Sequence, residues 1–279
     1  MGNRSAQPLT GTLTLRLPTS WKALTPEIAI ADLKPQEVRP LTCQFEWSAD
    51  WQPEEMAQIC LDFGGDRKMT RSLIPNQYAL HRAGQIKLDG RLDDWPSETR
   101  LPNWMLGSTA GEANATLHLA WAKEGLYGAL VVHDSKVQVK DPKSFWAGDS
   151  LEMFVDSANN KQPRAAAPGD HQFWLVPLPD EHRVYLGQWR MKGEIQATRY
   201  DIPGMQGVAT RTADGYVMEF LLPAEQLRNY EGKTGGRLGL NLNLTIQGQQ
   251  GNREVYWPSA KSSGTTTHPD RWGTVLLLE

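Results

Sequence analysis

Alternation with a period of two runs along this 279-residue chain almost from end to end, broken by Gly- and Pro-containing turns. Residues 11–17 set Leu13, Leu15 and Leu17 against Thr12, Thr14 and Arg16. Residues 238–247 set four leucines against Gly239, Asn241, Asn243 and Thr245. Successive side chains of a strand point to opposite faces, so this spacing folds as half-buried strands, whereas a helix repeats its apolar stripe every 3.6 residues. The same reading predicts strands over 41–47, about 56–63, 116–122, 126–133 and 150–156. It continues with 172–177, 183–190, 194–200, 207–212, 216–222, 255–258 and 273–278. Lys123-Glu124-Gly125 and Ala213-Asp214-Gly215 close hairpins, Leu33-Lys34-Pro35-Gln36-Glu37 is a turn, and residues 223–227 form one short helix with Pro at its first position. Many short strands and scarcely any helix mean an all-β, antiparallel β-sandwich.

Length allows two cores. After Gly64-Gly65-Asp66 the pattern lapses until Tyr78 and resumes at Gln85, so the boundary is expected at about 82. Residues 1–82 form an immunoglobulin-like β domain and 83–279 a second sandwich. About four strands are legible in the first domain, where about seven are usual, so it is expected to be truncated at its N-terminus and the chain to be the C-terminal part of a longer protein.

The net charge of -3 and the lack of a dense Lys/Arg run exclude a nucleic-acid surface. No apolar run reaches the length of a membrane span, and Met1 to Ser5 carry no signal peptide. Gly235-Gly236-Arg237-Leu238-Gly239 lacks the strand–turn–helix context of a phosphate loop. Cys43 and Cys60 fall on opposite strand faces and are read as free thiols. His133 and His171, each beside an acid, are read as hydrogen-bonding residues rather than metal ligands. Asp149, Glu152 and Asp156 are the candidates for a hydrolytic carboxylate pair, but acids on a solvated strand face are commoner, and no catalytic residue is assigned.

Tryptophan is the outlier: eleven, against seven Tyr and six Phe. Indoles are platforms for the C–H faces of sugar rings. Trp146-Ala147-Gly148-Asp149-Ser150-Leu151-Glu152-Met153-Phe154-Val155-Asp156 puts a tryptophan on a turn and runs into a strand. Leu151, Met153 and Val155 share one face of it, and Glu152, Phe154 and Asp156 the other. Gln172 and Trp174 stand opposite Phe173 and Leu175, and Asn241, Asn243 and Thr245 opposite the leucines of 238–244. If these strands are neighbours, one face gathers amide, carboxylate and indole groups suited to sugar hydroxyls.

Those residues bring a family into view. Residues from about 84 to 279 resemble a family 9 carbohydrate-binding module, within the wider group of DOMON-like sandwiches. The resemblance runs through Leu88-Asp89-Gly90, Asp93-Asp94-Trp95, Leu126-Tyr127, His133-Asp134, Trp146-x-x-Asp149-Ser150-Leu151-Glu152-x-Phe154-x-Asp156 and Gln172-Phe173. It ends with Gly215-Tyr216-x-x-Glu219, Leu238-Gly239-x-Asn241 and Trp272-Gly273-x-x-x-Leu277. It implies binding of glycan reducing ends without catalysis, Trp146 as one side of an aromatic clamp, Asp134 and Glu152 as hydrogen-bonding acids, and structural calcium. The second clamp tryptophan is expected about where Thr266 stands, and a basic residue where Trp174 stands. Trp174 and Trp257 are the candidates to replace the missing ring. Residues 8–80 resemble, less specifically, bacterial immunoglobulin-like domains attached to glycoside hydrolases, through Gly11-Thr12-Leu13, Pro18-x-x-Trp21 and Leu33-x-Pro35-x-Glu37.

The expected ligand set is therefore Trp146, Glu152, Asp134, Gln172, Trp174, Asn241, Asn243 and Trp257. Asp89, Asp93 and Asp94, with Asp134, are the calcium candidates, with plain turn chemistry as the alternative. The partner is an oligosaccharide or polysaccharide, with no nucleic acid and no membrane insertion. The module is a monomer tethered to further domains of a carbohydrate-active or surface protein, extracellular or periplasmic, with a glycoside hydrolase as one candidate parent. Two alternatives stand beside it: a DOMON-like domain holding b-type haem through Met153 and Met218, and a spacer sandwich without ligand.

Overall fold

The computed structural model describes residues 1–46, 57–72, 77–101, 115–134, 136–162, 168–189, 199–200, 202–248, 251–257 and 268–279. They divide into two compact units, Met1–Pro75 and Asn76–Glu279.

In the first unit the strands are β1 (Leu9–Arg16), β2 (Lys22–Ala23), β3 (Glu27–Leu33), β4 (Phe45–Glu46), β5 (Gln58–Asp62) and β6 (Lys68–Ser72). Four of them form a sheet in the order β3-β1-β5-β6, while β2 pairs with β4. Leu13, Leu15, Ile30 and Leu33 centre the core. Of the strand expected over 41–47, Phe45–Glu46 is seen and residue 47 lies outside the described residues; β1 pairs with β3, where Leu13 faces Ile28. The alternation of β3 is invisible because Ile28 and Ile30 alternate with alanines. After Gly64-Gly65-Asp66, where the alternation lapses, β6 returns alongside β5. Cys43 and Cys60 are free thiols.

The second unit contains β7 (Gln77–Arg82), β8 (Ala115–Ala122), β9 (Gly125–Val132), β10 (Ser150–Asp156), β11 (Asp170–Leu178) and β12 (Arg183–Trp189). They are followed by β13 (Arg199–Tyr200), β14 (Gln206–Arg211), β15 (Tyr216–Pro223), β16 (Arg237–Gly248), β17 (Gly251–Trp257) and β18 (Gly273–Leu277). Eleven of the twelve strands follow one path, β13-β12-β11-β10-β16-β18-β7-β8-β9-β15-β14, and the twelfth, β17, pairs with β16 off that path. The path doubles over at β7, whose residues pair parallel first with β18 and then, at His81 and Arg82, with β8. This closes two layers over a core that includes Leu151, Met153, Val155, Phe173, Leu175 and the leucines of β16. The alternation read for β10, β11 and β16 is the observed one.

Two boundaries differ from the sequence reading. The seam lies before β7, not after residue 82, because Tyr78 and Leu80 are buried in the second core. Too few residues of β7 alternate for its period to register. The expected helix over 223–227 is a single 3-10 turn, Ala224–Gln226, since β15 continues through Pro223. Of the strand expected over 194–200, Arg199–Tyr200 is seen, and 190–198 lie outside the described residues.

Candidate ligand-binding site

The strip around Glu152 follows directly from register. Glu152 on β10 stands opposite Trp174 on β11 and opposite Asn243 on β16, and Asn243 in turn faces Tyr256 on β17. Because partners in register point to the same face, Trp174, Glu152, Asn243 and Tyr256 form one row across four strands. Asn243 Nδ2 donates to Glu152 Oε1 at 2.9 Å, and Gln172 Nε2, one diagonal step away, donates to Oε2 at 2.8 Å. Both carboxylate oxygens are thereby aimed by amides. Burial raises the Glu152 carboxyl above the usual range, the two amides pull it down, and the charge of Glu254 adds to the rise. Tyr256 Oη donates to Glu254 Oε2 at 2.8 Å at the rim of the same strip.

Glu152 and Gln172 are half-buried in this strip. At one end Phe145 stacks on Trp174 with centroids 4.8 Å apart. One step along β10 on the same face, Phe154 meets Trp272 with ring centroids 5.7 Å apart. Trp146 stands clear of this cover. It is 60% exposed, and its ring meets Phe145 edge-on at 5.2 Å. Ser150 Oγ donates to Phe145 O at 2.9 Å, pinning the short 3-10 turn Phe145–Ala147 to the start of β10. A continuous line of rings therefore runs from the residue beside Glu152 to the exposed indole.

Two expected ring residues are corrected. Trp174 is only 1% exposed, clamped between Phe145 and Gly187, so it offers no face to a ligand. Trp257 is also 1% exposed. It pairs opposite Leu242, hence inward, and packs on Tyr78 with centroids 4.4 Å apart. The neighbouring position, Tyr256, is the one that faces the strip, with Glu254 bonded to it, and neither is in the expected ligand set. The alternation Glu254-Val255-Tyr256-Trp257 carried the signal, but only the register with β16 sets its parity. Asn241 is buried and structural: with its amide turned to satisfy both ends, it donates to Trp257 O at 3.0 Å and accepts from Leu242 N at 3.3 Å.

Asp134 accepts from Lys136 N at 2.9 Å and acts electrostatically on Asp149; among the described residues no hydrogen bond joins it to the Glu152 strip. Asp149 is fully buried, with Oδ1 accepting from Gln247 N at 2.7 Å and Oδ2 unpaired. Its carboxyl is pushed up to about 7, chiefly by burial. The position of Thr266 lies outside the described residues. His133 pairs with Asp214 at 2.6 Å on the surface, and buried His171 accepts from Arg228 N at 3.1 Å, as hydrogen-bonding histidines do.

The turn proposed for calcium does not fit a metal. Asp93 engages Arg91, Asp94 accepts from Lys87 N, and Asp89 accepts from Arg91 N. Buried Glu219 accepts from Asp89 N, Arg91 N and Trp95 Nε1, so the acids here hold the turn itself. Among the described residues no group of three or more His, Cys, Asp and Glu is placed to bind a metal ion. Met153 and Met218 are packed within the core, 1% and 0% exposed, where their thioethers fill space between the layers rather than face a haem.

An antiparallel sandwich that aims a carboxylate and amides along a strip, with an indole standing free beside it, is a carbohydrate-binding β-sandwich. The chain belongs to the family described as carbohydrate family 9 binding domain-like, which matches residues 88–279. Endo-1,4-beta-xylanase A of Thermotoga neapolitana is 33% identical over 206 residues, 72% of this chain but 18% of that protein's length. A family 9 carbohydrate-binding module from Caldicellulosiruptor kristjanssonii, solved with cellotriose, superposes with a TM-score of 0.55 at 15% identity over 72% of this chain and 93% of its own. The same module solved with glucose gives 0.54 at 15% identity, over 72% and 95%. Both share the fold.

Proposed function

We propose that the second unit binds the end of a glucose-type β-linked oligosaccharide, the sugar ring lying on Trp146 and its hydroxyls meeting Glu152, Gln172 and Asn243. The observation that carries this reading is the amide-held Glu152 carboxylate in a half-buried strip joined through Trp174 and Phe145 to the exposed Trp146. Cellotriose and glucose in the related module support the ligand class. One ring stack contributes about 0.5–1.5 kcal/mol and one charged hydrogen bond roughly 1.5–3 kcal/mol. With Trp174 and Trp257 both enclosed, the affinity falls toward the millimolar end, about -4 kcal/mol.

The module acts without catalysis, as a monomer tethered to a larger carbohydrate-active protein outside the cell. Its similarity to part of a xylanase supports that setting. Titration calorimetry with glucose, cellotriose and xylotriose tests the reading: saturable heat with at least one is expected, and none with any of the three overturns it. Release of reducing ends from those oligosaccharides, lost on changing Glu152, would overturn the absence of catalysis.

A further inference from the structure

Trp146 keeps its place because its turn is tied down, and one of the ties is an acid three residues on. The ladder between β10 and β16 ends at Ser150 opposite Thr245. Beyond it the Asp149 side chain takes over: Oδ1 accepts from Gln247 N at 2.7 Å, while Asp149 N donates to Gln138 O at 2.8 Å. Gln138 Nε2 donates in turn to Gln247 O at 2.7 Å, closing a ring of three residues drawn from three segments. Only glycine fits between this ring and the turn, since a Cβ on Gly148 would lie 2.6 Å from Gln138 O. With Ser150 Oγ holding Phe145 O, the turn is fixed at Phe145 and again at Asp149, and Trp146 stands between the two ties.

A purely structural anchor would not need an acid here. Asp149 is wholly buried and its Oδ2 has no hydrogen-bond partner. An asparagine would accept from Gln247 N without the cost of an enclosed charge. Among the described residues, the titratable groups that act on it or feel its charge are Asp134 after β9 and Tyr216 on β15, whose hydroxyl is likewise buried without a partner. The segment before the turn and β16 present Gln138 and Gln247, which do not titrate. The neutral carboxyl suits this enclosure. The ionised one would leave a charged oxygen without a donor, close to a second acid.

We propose that Asp149 is the positioning residue of the Trp146 platform, its neutral form clamping the turn to Gln247 and Gln138 and its ionised form releasing it. The inference rests on Trp146 as the sugar platform. Burial sets the changeover at about 7. Glu152 must be ionised to accept from sugar hydroxyls, so binding occupies a pH window with an acid limb from Glu152 and an alkaline limb from Asp149.

The test follows the mobility of the Trp146 indole N–H by nitrogen relaxation across neutral pH, its signal assigned by its loss in Trp146→Phe. In wild type the indole should be rigid below neutrality and mobile above it. Asp149→Asn keeps an acceptor for Gln247 N and cannot ionise, so its indole should stay rigid throughout. Asp149→Ala should be mobile throughout, and below neutrality it should bind cellotriose roughly three- to tenfold more weakly than wild type, the loss of one net hydrogen bond. A wild-type indole equally mobile at every pH, or a wild-type profile retained in Asp149→Asn, overturns the proposal. If Asp149→Ala does not fold, wild type against Asp149→Asn decides. If wild type binds no sugar, the proposed ligand fails, and the indole profile still decides the role of Asp149.

Discussion

The Trp174 indole lies in the space that a side chain at position 187 would need: a Cβ built on Gly187 would stand 2.2 Å from Trp174 Cε2 and Cζ2. The pair is in register across β11 and β12. Gly187 below and Phe145 above thus hold Trp174 flat, and Phe145 in turn supports the edge of Trp146. A glycine on an inner strand is therefore part of what positions the exposed ring.

Gly187→Ala should cost about 1–3 kcal/mol by overpacking, and it should weaken sugar binding although residue 187 touches no ligand. Denaturant unfolding followed by tryptophan fluorescence, with calorimetry on the folded variant, checks both. A variant as stable as wild type would mean that Trp174 has room to move.

Trp146 and Trp174 should behave oppositely on truncation. Trp146→Ala removes a ring that is 60% exposed, so it should abolish binding and change stability by less than about 1 kcal/mol. Trp174→Ala empties a buried site and should cost about 3–5 kcal/mol. Equal destabilisation by the two would remove Trp146 from the binding surface.

Glu152→Gln keeps the shape of the strip but replaces an acceptor with a group that both donates and accepts. Loss of one charged hydrogen bond, roughly 1.5–3 kcal/mol, should weaken binding by about tenfold or more. Since burial holds the Glu152 carboxyl above its usual range, wild-type affinity should fall on acidification at a higher pH than a free glutamate would give, and the variant should show no such fall. Calorimetry across pH reads the difference.

Asp149 gives a pH signature in stability as well. Its folded carboxyl titrates at about 7, and an unfolded aspartate near 4, so between those values the native chain holds a proton that the unfolded chain has lost. The contribution is full at the acid end of that window and falls as pH rises, by up to about 1.4 kcal/mol per unit, becoming constant above it. Asp149→Asn should therefore gain on wild type as pH goes from 5 to 8. Thermal melts of the two proteins at each pH supply the comparison, and a constant difference would show that the native Asp149 carboxyl is already ionised across that range.

Much of this was legible in the chain. The alternation of β10, β11 and β16 sets which residues go inward, because a strand's period is two whatever surrounds it. That put Glu152, Gln172 and Asn243 each opposite the core residues of its own strand, register then brought them together, and Gly-containing turns placed the hairpins around Gly125 and Gly215. The family followed from motifs along residues 88–279. What the chain could not show was cover. Whether an outward face meets water depends on what lies over it, and here Phe145 covers Trp174 while Trp272 covers Phe154. Parity at a strand end was likewise undetermined: Trp257 and Tyr256 exchange faces with a one-residue slip, and only pairing with Leu242 and Asn243 decides it. The same holds for charge. Asp89, Asp93 and Asp94 look like metal ligands until their amide and arginine partners are seen, and Lys161 looks like a surface lysine until two carbonyls from Trp272 and Gly273 close on it. Local period is written in consecutive residues, whereas burial and partnership come from residues about a hundred positions apart that only the folded sandwich brings together.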